Sequence, residues 1–315
     1  MTLMNDKFLR VKEKLQRELG QTITQLLTEK DVVEIMLNPD GKLWVERLGQ
    51  EMQPVGEMFA SQAESLMATV ASTINTTITS EKPILECELP IDGSRFEALI
   101  PPIVSAPTFT IRKKAYKIFT LDDYVNDGIM SSYQREMIIS SVKNRKNILV
   151  VGGTGTGKTT LTNAIIEAIS TYKPDHRLAI IEDTGEIQCS SKNVVIMRST
   201  EHVSMLRLLK ATMRLRPDRI LVGEVRGEEA LALLKAWNTG HPGGVATVHA
   251  NDARAGLIRM EQLISEATPA PQQQLIAEAV DVVICIVKSE GGRKVKEIIS
   301  VDGYRNNDYQ LTTIN

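Results

Sequence analysis

The spacing of apolar positions changes once along the chain, and the change divides it in two. Over residues 3–19, Phe8, Val11, Leu15 and Leu19 recur at helical spacing. Lys7, Arg10, Lys12, Lys14 and Arg17 lie among them, so the stretch predicts a slightly basic amphipathic helix. Two β-rich runs, 32–37 and 42–46, then flank Asn38-Pro39-Asp40-Gly41, a hairpin signal. A second helical period covers 61–78 through Ala63, Leu66, Met67, Val70 and Ile74. Short strands follow around 85–89, 94–100 and 108–112, separated by Pro101-Pro102 and Pro107. Residues 1–118 thus read as a small α+β domain. Residues 119–135 carry Asp122, Asp123, Asn126, Asp127, Gly128, Ser131 and Ser132 and read as a polar linker. From 136 to 315 the pattern is different. Nearly continuous apolar runs at 147–151, 178–182, 194–197, 220–222, 245–249 and 280–287 alternate with helical segments. That pattern implies an α/β fold whose parallel sheet is covered on both faces.

Composition narrows the function classes. The chain has 315 residues, 42% hydrophobic and 24% charged, which is globular rather than disordered. Lys and Arg number 37 against 39 Asp and Glu, so no overall basic field draws the whole chain onto nucleic acid or anionic lipid. Aromatics at 4% argue against single-strand binding on stacked rings. No apolar run approaches the roughly 20 residues of a membrane-spanning helix. The N-terminus lacks the apolar centre of a secretory signal. Cys87, Cys189 and Cys285 have no metal-ligand spacing and fit buried thiols in a reducing compartment.

The strongest chemical signal is Gly152-Gly153-Thr154-Gly155-Thr156-Gly157-Lys158-Thr159, which satisfies G-x-x-x-x-G-K-[ST]. An apolar strand precedes it, and Leu161, Ala164, Ile165, Ala168 and Ile169 form one helical face after it. Glycines let the backbone curl around phosphates, and the N–H groups at the helix start favour an anion. Lys158 offers a charge to the β- and γ-phosphates, and the Thr159 hydroxyl suits Mg²⁺. The ATP-binding set is therefore Gly152, Gly153, Thr154, Gly155, Thr156, Gly157, Lys158, Thr159 and Thr160, with ATP and Mg²⁺ as the expected ligands.

Acidic residues stand at the ends of two further strands, where open α/β sheets bind ligands. Glu182, Asp183 and Glu186 can hold Mg²⁺ through water or orient the attacking water; a solvated turn is the alternative. Glu224 ends the strand 220–222 after Gly223, which occupies a position where many phosphate-loop enzymes place an Asp. Glu224 is then the candidate general base. His249 ends another predicted strand and can reach a γ-phosphate or Glu224; a purely structural histidine is the alternative. His241 sits in a Pro/Gly turn, farther from the chemistry.

These segments occur in a telling order. The phosphate loop, Ile181-Glu182-Asp183-Thr184-Gly185-Glu186, Arg214-Leu215-Arg216-Pro217-Asp218 leading into Gly223-Glu224-Val225-Arg226-Gly227, and the 240–251 histidine segment together resemble the type II/type IV secretion ATPase superfamily. The match is nearest its type IV secretion and conjugation branch. In that family Gly223 is the usual residue. Ile91-Asp92-Gly93-Ser94-Arg95-Phe96-Glu97 and Thr110-Ile111-Arg112-Lys113-Lys114 resemble the family's two arginine-bearing N-terminal segments. The resemblance implies a RecA-like C-terminal P-loop NTPase domain with a smaller N-terminal domain, nucleotide between them, and a ring of six subunits. It implies a cytoplasmic motor peripherally attached to the inner membrane, with inner-membrane components of a conjugation or secretion channel as partners. No sequence-specific nucleic-acid contact is expected. It also implies roles: Lys158 and Thr159 on phosphate and Mg²⁺, Glu186 and Glu224 on metal and water, His249 on the γ-phosphate, and Arg95 and Arg112 on nucleotide phosphates. Arg214, Arg216 and Arg226 are lesser candidates. The competing readings are a pilus assembly or retraction ATPase of the same superfamily, a nucleic-acid translocase on a RecA-like core, and a nucleotide-binding scaffold that barely turns over.

Overall fold

The computed structural model describes residues 2–114, 118–200, 202–290 and 292–314, with side chains from Arg10 onward. The chain forms two compact units, 1–116 and 117–315. Phe8 and Lys7 of the predicted first helix lie outside the described side chains.

In the first unit, helix α1 (Thr2–Thr28) runs nine residues beyond the predicted end at residue 19. Gly20, at φ 76 and ψ 171, kinks it rather than ending it. The reason is packing: Leu15, Leu19, Ile23 and Leu26 keep helical spacing across the kink and are all buried. Helix α2 (Ala60–Thr73) stops before the predicted residue 78, and Ile74, counted in its apolar period, is 44% exposed. Strands β1 (Val32–Leu37), β2 (Lys42–Arg47), β3 (Gln53–Glu57), β4 (Ile84–Glu88), β5 (Arg95–Leu99) and β6 (Thr108–Arg112) form one antiparallel sheet in the order β3-β2-β1-β6-β5-β4. Strand alternation divides its faces. Ile35, Leu43, Val45, Phe96, Ala98, Phe109 and Ile111 join both helices in the core, while Glu34, Arg95, Glu97, Thr110 and Arg112 line a polar cavity of about 260 Å³.

The stretch 119–135 differs from the predicted linker. It contains helix α3 (Leu121–Asn126) and the start of α4 (Ser132–Lys143), each entered through a capping box, Thr120/Asp123 and Ser131/Gln134. Of the polar residues that suggest a linker, Asp123 and Ser131 belong to the N-terminal caps of these helices and Asp127 is the C-cap of α3. Leu121, Tyr124 and Met130 are buried in the second unit's core.

That unit is built on an eight-stranded sheet. In chain order its strands are β7 (Ile148–Gly152), β8 (Leu178–Glu182), β9 (Val194–Arg198), β10 (Arg219–Val222), β11 (Val245–His249), β12 (Val282–Ser289), β13 (Gly292–Arg305) and β14 (Asp308–Ile314). Their spatial order is β14-β13-β12-β7-β11-β10-β8-β9. The six strands from β12 to β9 are parallel, as their apolar runs require. Beyond the predicted strands, β13 and β14 extend the β12 edge antiparallel. Helices α3, α4 and α5 (Lys158–Tyr172) cover one face. Helices α6 (Met205–Thr212), α7 (Glu229–Asn238), α8 (Ala253–Ser265) and α9 (Gln273–Ala279) cover the other. This is the RecA-like α/β architecture, with the C-terminal ends of β7, β8, β10, β11 and β12 at one edge.

Candidate phosphate-binding site

The phosphate loop joins β7 to α5. Gly157 is the residue before the helix and has φ 95, a left-handed conformation that L side chains resist. Gly152 is held for another reason: a Cβ there would lie 2.4 Å from the Ile286 carbonyl and 2.5 Å from Thr156 Oγ1. The Thr156 hydroxyl donates to the Gly153 carbonyl at 3.0 Å and braces the loop. Lys158 opens α5 and is buried; Thr159 and Thr160 follow in its first turn, partly exposed.

Three motif side chains meet here, from the start of α5 and from the ends of β10 and β11. The Lys158 ammonium donates to the Gly153 carbonyl at 3.0 Å and lies 3.3 Å from His249 Nδ1. His249 Nε2 lies 2.6 Å from Glu224 Oε1. Burial and then the Lys158 ammonium hold His249 below the ordinary imidazole value of 6.5, so its ring is neutral at pH 7. A neutral ring can accept from Lys158 on one nitrogen and present N–H toward Glu224 on the other. Arg226 donates from Nε to Glu224 Oε2 at 2.9 Å and also binds the Asp183 carboxylate, tying the β10 end to the loop after β8.

The backbone around these groups is closely fixed. The Thr247 hydroxyl donates to the Gly223 carbonyl at 2.7 Å, and Val225 N–H donates to the Thr247 carbonyl at 2.9 Å. A Cβ at Gly223 would lie 3.1 Å from Glu182 Cβ, so any side chain there would crowd the end of β8. Glu229 Oε1 accepts the N–H groups of Arg226 and Gly227. At the other end of β11, Asn147 Oδ1 accepts from Gly243 and Gly244, and His241 Nδ1 lies 3.0 Å from the Pro217 carbonyl. His241 therefore stands at the sheet end away from the phosphate loop.

Glu182 is 1% exposed, and its Oε2 accepts the Ile187 N–H at 3.0 Å. Burial raises its carboxyl above the usual carboxylate range. The Glu186 carbonyl accepts from Asn163 of α5 at 3.1 Å, so this loop is tied to the phosphate-loop helix. Among the described residues, no group of three or more His, Cys, Asp or Glu is arranged to hold a metal. Glu182 Oε1 is buried without a hydrogen bond, 3.6 Å from Arg198 Nε, whereas Glu224 Oε1 faces His249. A buried carboxylate oxygen such as that of Glu182 suits a divalent cation that shares its coordination with phosphates rather than one caged by protein.

Arg95 and Arg112 lie in the first unit, directly opposite each other on β5 and β6. Arg112 pairs with Glu34, and Arg95 stands 3.7 Å from Glu97. Sequence reasoning passed over Asn163, Thr247, Lys288 and Arg293, the last two lying beside the phosphate loop. Thr247 sits inside a motif already singled out, but no local signal marks the other three.

The family model for the type II/IV secretion system protein matches residues 16–299. A conjugal transfer protein TrbB of Rhizobium radiobacter is 52% identical over 301 residues, covering 96% of this chain and 93% of its relative. A probable conjugal transfer protein TrbB of Sinorhizobium fredii is 51% identical over 302 residues with the same coverage. The crystal structure of the pilus retraction motor PilT with bound ADP aligns at TM-score 0.63 and 21% identity, covering 93% of this chain and 82% of that one, a likeness of fold.

Proposed function

Because the chain belongs to the type II/IV secretion system protein family, with conjugal transfer proteins among its relatives, we propose that it is a hexameric, Mg²⁺-dependent ATPase motor that energises conjugative transfer or type IV secretion. The observation that carries this reading is the convergence of Lys158, from the start of α5, with His249 and Glu224, from the ends of β11 and β10, beside an anion-binding helix start.

The chemistry follows from these groups. The loop N–H groups and Lys158 take the nucleotide phosphates, so Lys158 gives up its contacts with Gly153 and His249. His249, neutral and released from Lys158, shifts its ring N–H from Glu224 to donate to the terminal phosphate, which leaves that Glu224 oxygen open to water. Glu224 accepts the proton of the attacking water, and Arg226 holds its second oxygen in place. Thr159, with Glu182 and Glu186 through water, would hold Mg²⁺, which neutralises phosphate charge when bound. Arg95 and Arg112 supply guanidinium charge to phosphate, exchanging Glu34 and Glu97 for it. Loss of the γ-phosphate after hydrolysis removes contacts that favour the bound conformation, and that difference drives movement.

The proposal sets the chain on the cytoplasmic face of the inner membrane with channel components as partners. Among the described residues, no helix is long and apolar enough to cross a membrane. The test is particle mass with and without Mg-ATP. Six-fold mass is expected, and a strict monomer at micromolar concentration in both conditions overturns the motor reading.

A further inference from the structure

Beside the phosphate loop stands a pair of cations that the Lys158–His249–Glu224 chain does not use. Lys288 near the end of β12 and Arg293 near the start of β13 are directly opposite each other in the antiparallel register. Alternation along the strands puts them on the same face as Ile286 and Val295, which pack in the core beneath α5. The phosphate loop runs under both. A Cβ at Gly155 would sit 3.2 Å from Lys288 Nζ, and one at Gly157 would sit 3.0 Å from Cδ and 3.2 Å from Nε of Arg293.

Like charges directly across a strand pair destabilise the sheet unless something compensates them. The chain contains a contrast. Arg95 and Arg112 also face each other across two strands, but Glu97 and Glu34 stand beside them. Among the described residues, Lys288 and Arg293 form no ion pair with a carboxylate. Lys288, exposed, and Arg293, half-buried, therefore lie without a carboxylate partner among the described residues against a loop whose own N–H groups favour an anion.

We infer that Lys288 and Arg293 form a second, side-chain wall of the phosphate site and hold the diphosphate portion of a bound nucleoside di- or triphosphate. The strand order assigns them this portion. β7 lies between β11 and β12, so His249 and Glu224 approach the loop from one side and the hairpin cations from the other. The first side handles the terminal phosphate and water. The second holds what remains after hydrolysis, so it contributes equally to ATP and ADP. The inference rests on the proposed nucleotide function and adds binding residues to it.

The test uses the full chain, with fluorescent ATP and ADP analogues as probes and Lys288→Ala, Arg293→Ala and the double variant. Each single substitution should weaken ATP and ADP by a similar factor, about tenfold, as expected for a lost charge-assisted contact. It should raise KM while kcat stays within about twofold. Lys288→Arg should restore binding. Without nucleotide, the double variant should melt at or above the wild-type temperature, because the repulsion is gone; ADP should then raise its melting temperature less than it raises that of wild type. Wild-type ADP affinity in the double variant overturns the inference, and so does a fall in its nucleotide-free melting temperature, which marks a structural pair. A wild-type chain that binds neither probe overturns the nucleotide reading itself together with this one.

Discussion

Replacing Glu224 by Gln separates chemistry from binding, and the structure sets the expected size of each effect. The substitution keeps the side-chain shape and an oxygen that can accept from Arg226, but it removes the negative charge and the capacity to take a proton. The Arg226 side chain is 54% exposed and that of Glu224 14%, so the ion pair is screened by solvent. Its loss costs about 1 kcal/mol of stability or less. Loss of a general base costs a factor of about 10² to 10⁴ in rate, or roughly 2.7–5.4 kcal/mol of barrier. The kinetic effect therefore exceeds the structural one several-fold, and Glu224→Gln should fold, bind ATP with near wild-type affinity and release phosphate at least a hundred times more slowly. Phosphate release, titration with a fluorescent ATP analogue and a melting curve on the same preparation measure all three. Turnover within fivefold of wild type refutes the assignment of the base. Lost ATP affinity with an unchanged melting temperature makes Glu224 a binding residue instead.

Two further predictions concern the scaffold. Asn147→Ala leaves the Gly243 and Gly244 N–H groups and the Ala279 carbonyl without their present partner; at about 1 kcal/mol or more each, the loss should reach at least about 3 kcal/mol and appear as a lower denaturation midpoint. His176 Nδ1 accepts from the buried Arg219 at 2.9 Å, and burial followed by the charges of Arg219 and Arg145 lowers its pKa below 6.5 against the weaker opposing pull of Asp175 and Asp218. Below pH 6.5 the unfolded chain binds this proton more readily than the folded one, so the stability contribution is full above that pH and is lost as pH falls through the folded value. Melting temperatures between pH 7.5 and 5.5 should fall less in His176→Gln than in wild type; equal slopes in the two would contradict the coupling.

Much of the candidate site is legible in the sequence because the proposed chemistry needs fixed residue types at fixed spacing. The run from Gly152 to Thr159 names its own strand, loop and helix, and the strand ends at Glu182, Glu224 and His249 follow from where apolar runs stop. Residues that act through long-range register leave no such trace. Lys288 and Arg293 become a pair through the β12–β13 register, and Asn163 reaches the loop after β8 only once α5 is packed. In the fold, β3 (Gln53–Glu57) was missed because an edge strand with one half-buried valine and a proline has little hydrophobic alternation. Strands β13 and β14 carry a signal of their own: Asn306 and Asn307, at φ 55 and 58, make the tight turn between them. The stretch 119–135 reads as a linker because Ser, Thr and Asp serve equally as loop residues and helix caps, and only the burial of Leu121, Tyr124 and Met130 distinguishes the two.

The proposed function puts Lys158 where the terminal phosphates of ATP are held and cleaved. Mg²⁺-dependent phosphate release from ATP, measured for the wild-type chain and for Lys158→Ala, tests it most directly. Turnover is expected in the wild type, with at least a hundredfold loss in the variant while its fold stays intact. Undiminished turnover by Lys158→Ala would contradict it.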